Sequence, residues 1–389
     1  MSNLQLTGNW NYPNGIRAGA GRIAELPEAC RLLGMQAPLM VTDPQLAALP
    51  MVQQVLAQCR ATGLACGIFS DIKSNPTGAN IDDGVVAFRA GGHDGVIALG
   101  GGSALDAGKA VALMAGQDRP LWDFADVGDN WLRINSAGMA PVVAVPTTAG
   151  TGSEVGRAAV ITDEGQQVKR IIFHPRMLPG QVILDPELTI GLPPRLTAAT
   201  GMDALSHNLE ALCAPAWHPM ADGIALEGIR LVKEFLPVAV ADGDNLNARM
   251  QMLAASSMGA TAFQKGLGAM HALAHPLGAL YDAHHGTLNA ILMPYVLQAN
   301  RSAIEPTLRR AAAYIGLDEP GFEGFMTWIL DLRNRIGIPH TLAETGIRAG
   351  DVSRIARMAT EDSAAKGNPI AFTAAQYAAI LQRAIAGKL

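Results

Sequence analysis

Two textures of hydrophobic patterning divide the chain. From about Ile16 to Ile190, short apolar runs alternate with helix-like stretches; the runs fall at residues 37–43 (APLMVTD), 66–72 (CGIFSDI), 93–100 (HDGVIALG), 140–146 (APVVAVP) and 181–186 (QVILDP). Runs that are apolar almost throughout predict strands buried on both faces, and helical segments between them predict parallel pairing. Beyond Pro194 the pattern changes to Ala-, Leu- and Met-rich segments of helical period. These predict helices over 195–213, 218–236, 246–263, 268–281, 302–316, 320–337 and 373–387. Leu192-Pro193-Pro194 can continue neither kind of element and marks the boundary. The expectation is an α/β N-terminal domain over 1–190, Rossmann-like with a mostly parallel sheet, followed by an all-α C-terminal domain over 191–389.

Composition narrows the class. A length of 389 residues exceeds the size at which a single core stops growing, in keeping with two domains. With 49% apolar and 16% charged residues, the chain is too hydrophobic to be disordered. A net charge of -5 supplies no basic stripe, so neither nucleic acid nor an anionic membrane surface is an expected partner. The start, MSNLQLTGNWNYPNG, shows no basic segment leading into an apolar one, and the long apolar runs are soon interrupted. The 4 cysteines (Cys30, Cys59, Cys66, Cys213) form no CxxC pair, neither a disulfide framework nor a thiolate zinc site. A cytoplasmic protein is expected. High hydropathy with few charges also points to surface buried between copies, as in a homodimer or larger homo-oligomer.

Residues 93–112 combine an apolar strand, the run Gly100-Gly101-Gly102-Ser103, and a helix whose first turns carry Asp106 and Lys109. Glycines let backbone approach a pyrophosphate, and a helix start aims free N–H groups and a positive dipole end at it. The plain alternative is a tight turn with Ser103 as N-cap. Gly19-Ala20-Gly21-Arg22-Ile23-Ala24 formally matches the dinucleotide fingerprint GxGxxA but follows no buried strand, and it reads as a turn. Asp43 closes the strand 37–43 and either binds a ribose and disfavours a 2′-phosphate, selecting NAD, or caps the helix starting at Pro44. A second glycine- and hydroxyl-rich loop runs from Pro146 to Glu154.

The helical half holds metal-ligand chemistry. Asp203 and His207 stand at i and i+4 on one helix face, His271 and His275 repeat the spacing, and His284-His285 follows. A carboxylate with imidazoles suits Fe(II) or Zn(II) rather than Ca or Mg. Any one of these histidines is more often an ordinary helix residue; two such pairs together argue for a site.

Taken together, GGGSALDAGKA, PTTAGTGSEV, ATGMDALSHNLEA, GAMHALAHPLGALYDAHHGTLNAILMPYV and KGNPI resemble the iron-containing (group III) alcohol dehydrogenases, which include lactaldehyde (1,2-propanediol) and ethanol dehydrogenases. The resemblance implies a dehydroquinate synthase-like architecture and hydride transfer between NAD(H) and a small primary alcohol, diol or aldehyde. It implicates Gly101, Gly102 and Ser103 at the pyrophosphate with Asp106 nearby, Asp43 at the ribose, Asn75 toward the adenine, Thr147, Thr148 and Thr151 on the nicotinamide side, and Lys169 near the cofactor. It places the metal, Fe(II) or else Zn(II), on Asp203, His207, His271 and His285, and makes His275 a proton relay. Two positions depart from the family pattern: His284 stands where a Pro or small residue precedes the last ligand, and a cofactor-side polar position is Gly156 or Ala158. A glycerol dehydrogenase-like polyol oxidoreductase is the neighbouring reading. A dehydroquinate synthase-like lyase would need a Lys/Arg-rich substrate site that these motifs lack, and a non-catalytic binding module would leave the pairing of cradle and metal set unexplained.

Overall fold

The computed structural model describes residues 14–389, so the reading of residues 1–13 lies outside the described residues. The chain divides into two compact units: residues 14–148 with 152–190, and residues 191–389 with 149–151.

The first unit runs β1 (Gly15–Ala18), α1 (Leu26–Leu32), β2 (Pro38–Val41), α2 (Pro44–Ala47), α3 (Pro50–Ala61), β3 (Gly67–Phe69), α4 (Gly78–Ala90), β4 (Gly95–Gly100), α5 (Gly102–Met114), β5 (Val142–Pro146), β6 (Ala158–Asp163), β7 (Val168–Phe173) and β8 (Gln181–Leu184). Six strands form one parallel sheet in the order β1-β8-β5-β4-β2-β3. Every residue of β2, β4 and β5 is buried, because helices cover both faces and leave no solvated side to demand polar alternation. Met40, Ile97, Leu99, Val143, Val145 and Ile183 form the core on one side of this sheet. All five runs read as strands are strands.

Two features escape the pattern reading. Strand β1 is a largely exposed edge of four residues with no apolar run to announce it, and it precedes the Gly19–Gly21 turn, whose glycines adopt φ of 147° and 73°. The β6–β7 hairpin pairs antiparallel outside the main sheet and alternates buried and part-exposed positions along β6.

The order of the main sheet contains a reversal that matters for function. From β2 the chain steps outward to β3, whereas from β4 it steps the opposite way to β5, although β2 and β4 are neighbours. Their connections therefore diverge and open a crevice at the strands' carboxyl ends, the position where open parallel sheets receive ligands.

The second unit is helical: α6 (Pro194–Cys213), α7 (Pro219–Ala241), α8 (Leu246–Ala262), α9 (Ala269–Tyr281), α10 (His285–Tyr314), α11 (Phe322–Arg335), α12 (Val352–Glu361) and α13 (Ala374–Ala386). Leu205, Leu209, Ile229, Leu273, Ile291 and Phe325 belong to its continuous core. The structure extends the expected 302–316 helix back to His285, through Pro294 and Pro306 in its interior. Prolines usually stop helices, but residues 288–297 are all buried and packing there carries the helix through Pro294, whereas Pro306 lies on an exposed stretch. No helix among the described residues is long and apolar enough to cross a membrane.

Candidate cofactor cradle and metal centre

The glycine loop lies at the crevice that the sheet order opens. Gly100 ends β4 at φ 146°, and a Cβ there would stand 2.7 Å from the Ala104 Cβ, so the turn needs glycine. Gly101 is the N-cap of α5 and no side chain closes the helix start, which leaves its first N–H groups pointing at an outside acceptor. Ser103 is not the cap; its hydroxyl donates to the Ser74 carbonyl and ties the loop before α4 to the cradle. On the neighbouring strand, Asp43 caps α2, its Oδ1 accepting from Gln45 N at 3.0 Å and Leu46 N at 2.9 Å. On the other side Thr147 follows β5 and donates its N–H to the Gly100 carbonyl at 2.9 Å, while the Thr148 hydroxyl lies 3.4 Å from where a Gly101 Cβ would stand.

Other candidates occupy distinct positions. The Lys169 ammonium donates to Asn75 Oδ1 at 2.9 Å, which joins β7 to the loop that leads into α4. Asp106 is buried, and its carboxylate accepts from the Ser153 hydroxyl and, at 2.9 Å, from Val160 N. Lys109 lies 3.3 Å from that carboxylate and donates to the Ser153 and Ala158 carbonyls; burial holds its pKa below the ordinary lysine value. Asp106 and Lys109 thus brace α5 against residues 153–160. Thr151 belongs with Ala149 and Gly150 to the helical unit, whereas Thr147 and Thr148 belong to the sheet unit.

Within the helical unit, α6 and α9 bring Asp203, His207 and His271 together so that their ligand atoms lie within 4.8 Å of one another, all three side chains buried. Close approach depends on small residues: at Gly286, the second residue of α10, a Cβ would meet the Ala199 carbonyl at 2.3 Å. The imidazoles of His207 and His271 stack at 4.7 Å. His207 Nδ1 lies 3.2 Å from the Gly150 carbonyl, which can only accept, so Nδ1 carries the hydrogen and the lone pair sits on Nε2. Burial pushes the His207 pKa down to about 4, keeping that lone pair unprotonated at neutral pH. His285 completes the approach from α10, its Nε2 3.6 Å from Asp203 Oδ1 and its ring 5.2 Å from that of His271. One buried carboxylate with imidazoles, His207 presenting Nε2, is a donor set matched to a borderline divalent ion.

Three residues that sequence reasoning missed surround this set. Glu210 accepts from His271 Nδ1 at 2.6 Å. Asn289 Nδ2 lies 2.9 Å from Asp203 Oδ1, 3.2 Å from His271 Nε2 and 3.1 Å from His285 Nε2. Asp362 accepts from His275 Nδ1 at 2.9 Å and from Ala364 N at 2.8 Å. A signal existed for two of them: Glu210 stands at i+3 from His207, and Asn289 at i+4 from His285, each on its ligand's helix face. Asp362 carries no such local mark. His275 stacks on His285 at 5.5 Å, and His284 caps α10 through Thr287 N. Of the aromatic residues, Phe263 meets the His207 ring edge-on at 5.1 Å, whereas the Tyr281 hydroxyl is engaged by Asp351 at 2.7 Å.

Two family models match the chain end to end: the iron-containing alcohol dehydrogenase model over residues 13–186 and the C-terminal model of the same family over residues 197–385. The chain belongs to the iron-containing alcohol dehydrogenase family. It is an oxidoreductase of the alcohol dehydrogenase class. Among relatives of this family, a 4-hydroxybutyrate dehydrogenase from Cupriavidus necator is 38% identical over 384 residues, covering 96% of this chain and 99% of that protein. A crystal structure of a 1,3-propanediol oxidoreductase superposes with a TM-score of 0.93 at 37% identity, covering 97% of this chain and all of the other. A sulfoacetaldehyde reductase from Bifidobacterium kashiwanohense, solved in complex with NAD+, superposes with a TM-score of 0.88 at 28% identity over 97% and 98% of the two chains. The parallel-sheet unit and the helical unit are the architecture of these iron-containing dehydrogenases.

Proposed function

We propose that this chain transfers hydride between NAD(H) and a small primary alcohol, diol or hydroxy acid, or the corresponding aldehyde, with a divalent metal held by Asp203, His207, His271 and His285. Iron is the favoured ion and zinc the alternative. The observation that carries this reading is the buried convergence of Asp203, His207 and His271. When bound, the ion supplies Lewis acidity to a hydroxyl and the nicotinamide supplies a hydride acceptor.

The chain's own residues do the rest. The open start of α5, with Gly101, Gly102 and Ser103, receives the pyrophosphate, and Asp43 faces the ribose while also capping α2. Asn75 and Lys169, already bonded to each other, stand with Thr147, Thr148 and Thr151 as further cofactor contacts; Asp106 supports the cradle from within. His275 donates Nδ1–H to Asp362, which leaves the Nε2 lone pair to accept the proton that an alcohol loses. On this reading residues 14–190 are the dinucleotide-binding part and residues 191–389 the metal and substrate part. Two of the relatives are named for short chains with a polar group at the far end, so 1,3-propanediol and 4-hydroxybutyrate head the substrate panel. Four free cysteines suit a reducing cytoplasm, and assembly as a homodimer or larger homo-oligomer is the accompanying proposal.

The test follows absorbance at 340 nm with NAD and NADP across these compounds, 1,2-propanediol and ethanol. The protein is first stripped by chelator and then reloaded with Fe(II) or Zn(II). Activity lost on stripping and restored by one ion is the expected result. Silence across the panel with either ion overturns the reading.

A further inference from the structure

We propose that Glu210 is a positioning residue that presents His271 to the metal by holding its Nδ1–H, and that the same carboxylate anchors the start of α9 so that ligand geometry and helix docking are set together. The inference rests on the metal reading given above.

Helix α9 begins at Ala269 behind Gly268, which has no side chain to cap it. Its first N–H groups are nonetheless satisfied, by residues distant in sequence. Gly268 N donates to Glu210 Oε2 at 2.8 Å, Met270 N to Glu210 Oε1 at 2.7 Å, and Ala269 N to Asn368 Oδ1 at 3.1 Å. A Cβ at Gly268 would stand 2.8 Å from Glu210 Oε1, so glycine there is what lets the carboxylate reach the helix end. The His271 bond, at 2.6 Å, shares Oε2 with Gly268.

Three N–H donors therefore converge on one carboxylate that is 5% exposed. Only an acceptor without hydrogens meets all three, which is why a glutamate and not a glutamine suits the position. A buried carboxylate needs compensation, and here the helix start and the imidazole provide it. The consequence for His271 is a fixed tautomer. Glu210 requires hydrogen on Nδ1, which leaves the neutral ring its lone pair on Nε2, the form that can ligate there. Asn289 Nδ2, 3.2 Å from Nε2, is compatible with that form.

The experiment measures Co(II) and Zn(II) dissociation constants, by competition with a chromophoric chelator, for the purified full chain, Glu210→Gln and Asn368→Ala. Asn368→Ala removes the other cap of α9 without touching His271, and so reports what loss of anchoring alone does. Expected is a loss of about 10- to 100-fold in affinity for Glu210→Gln, with a changed visible Co(II) spectrum. Asn368→Ala should lose less than about threefold while also lowering Tm. Equal losses in the two variants, or unchanged affinity in Glu210→Gln, overturn the proposal. Absence of metal binding by the parent chain would instead defeat the metal reading on which it rests. Should Glu210→Gln not fold, long-range 1H–15N spectra of the stripped parent chain decide: the neutral His271 ring, identified by its loss in His271→Ala, is expected with hydrogen on Nδ1. Hydrogen on Nε2 overturns the proposal.

Discussion

The cofactor cradle and the metal centre are built by opposite means. The cradle is mostly backbone: glycines, the free N–H groups at the start of α5 and the carboxyl ends of neighbouring strands do the recognising. Its parts are contiguous in sequence or lie on adjacent strands. The metal centre is mostly side chain, gathered from α6, α9 and α10, with its ligands held in place by Gly150, Glu210 and Asn289. A backbone site tolerates change in any one side chain outside its required glycine at 100, whereas an assembled side-chain site fails when one member or its support is lost.

That contrast can be broken or sharpened by experiment. The largest effect belongs to His271→Ala, which removes a buried ligand and is expected to cost metal stoichiometry and about three orders of magnitude or more in kcat/KM. Metal content and turnover measured side by side check it; full activity without metal would remove the centre from the mechanism.

Acid should come next. The folded His207 pKa of about 4, pushed down chiefly by burial, lies below the ordinary value of 6.5. Stability of the chelator-stripped protein should therefore fall as pH drops from 6.5 toward 4, where the unfolded chain takes up a proton that the fold refuses, and level off below. The loss is on the order of 3 kcal/mol. His271 shifts upward, burial lowering its pKa but the carboxylates of Glu210, Asp203 and Asp362 together raising it by more, so its contribution is complete below 6.5 and is lost only on the alkaline side. Urea titrations across this range on parent and His207→Gln test the assignment; a window that persists unchanged in the variant refutes it.

A smaller effect is expected from Asp362→Asn. The exchange keeps the shape but weakens the hold on His275 Nδ1–H, and kcat should fall about 10- to 100-fold with a shifted pH profile and little change in metal content. Loss of metal in parallel with turnover would place Asp362 in the metal support instead. The mildest variant is Asp43→Gly. Glycine at an N-cap costs only a few tenths of a kcal/mol relative to aspartate, so Tm should hardly move while the preference for NAD over NADP relaxes. An unchanged cofactor ratio leaves Asp43 as a cap alone.

Much of this was legible from local pattern. Five strands announce themselves as apolar runs, three of them buried throughout because helices cover both faces of the sheet, and the glycine loop announces itself because the close approach that demands glycine, Gly100 to Ala104, is within four residues. The i, i+4 pairs mark Asp203, His207 and His271 because a helix converts spacing directly into a shared face. What escaped had no local cause. Strand β1 is an edge whose pairing with β8 comes from residues far along the chain. Helix α10 runs on through Pro294 because that stretch is buried against its neighbours. Asp106, read as a residue beside the cofactor, has its carboxylate turned to Ser153 and Val160, a choice made by the packing of β6 against α5.

By itself, then, the sequence determined five of the eight strands and most of the helices, where the chain changes texture, and which residues have metal-binding chemistry, since all of these depend on periods of two to four residues; β1, β6, β7, the start of α10 and α12 were not among them. Only the tertiary structure decided that strands β2 and β4 are neighbours whose connections diverge, and that Glu210 and Asp362 stand beside His271 and His275. The physical reason is distance along the chain: a hydrogen bond between residues 61 or 87 positions apart leaves no periodic trace and exists only once the helices that carry its two ends have packed.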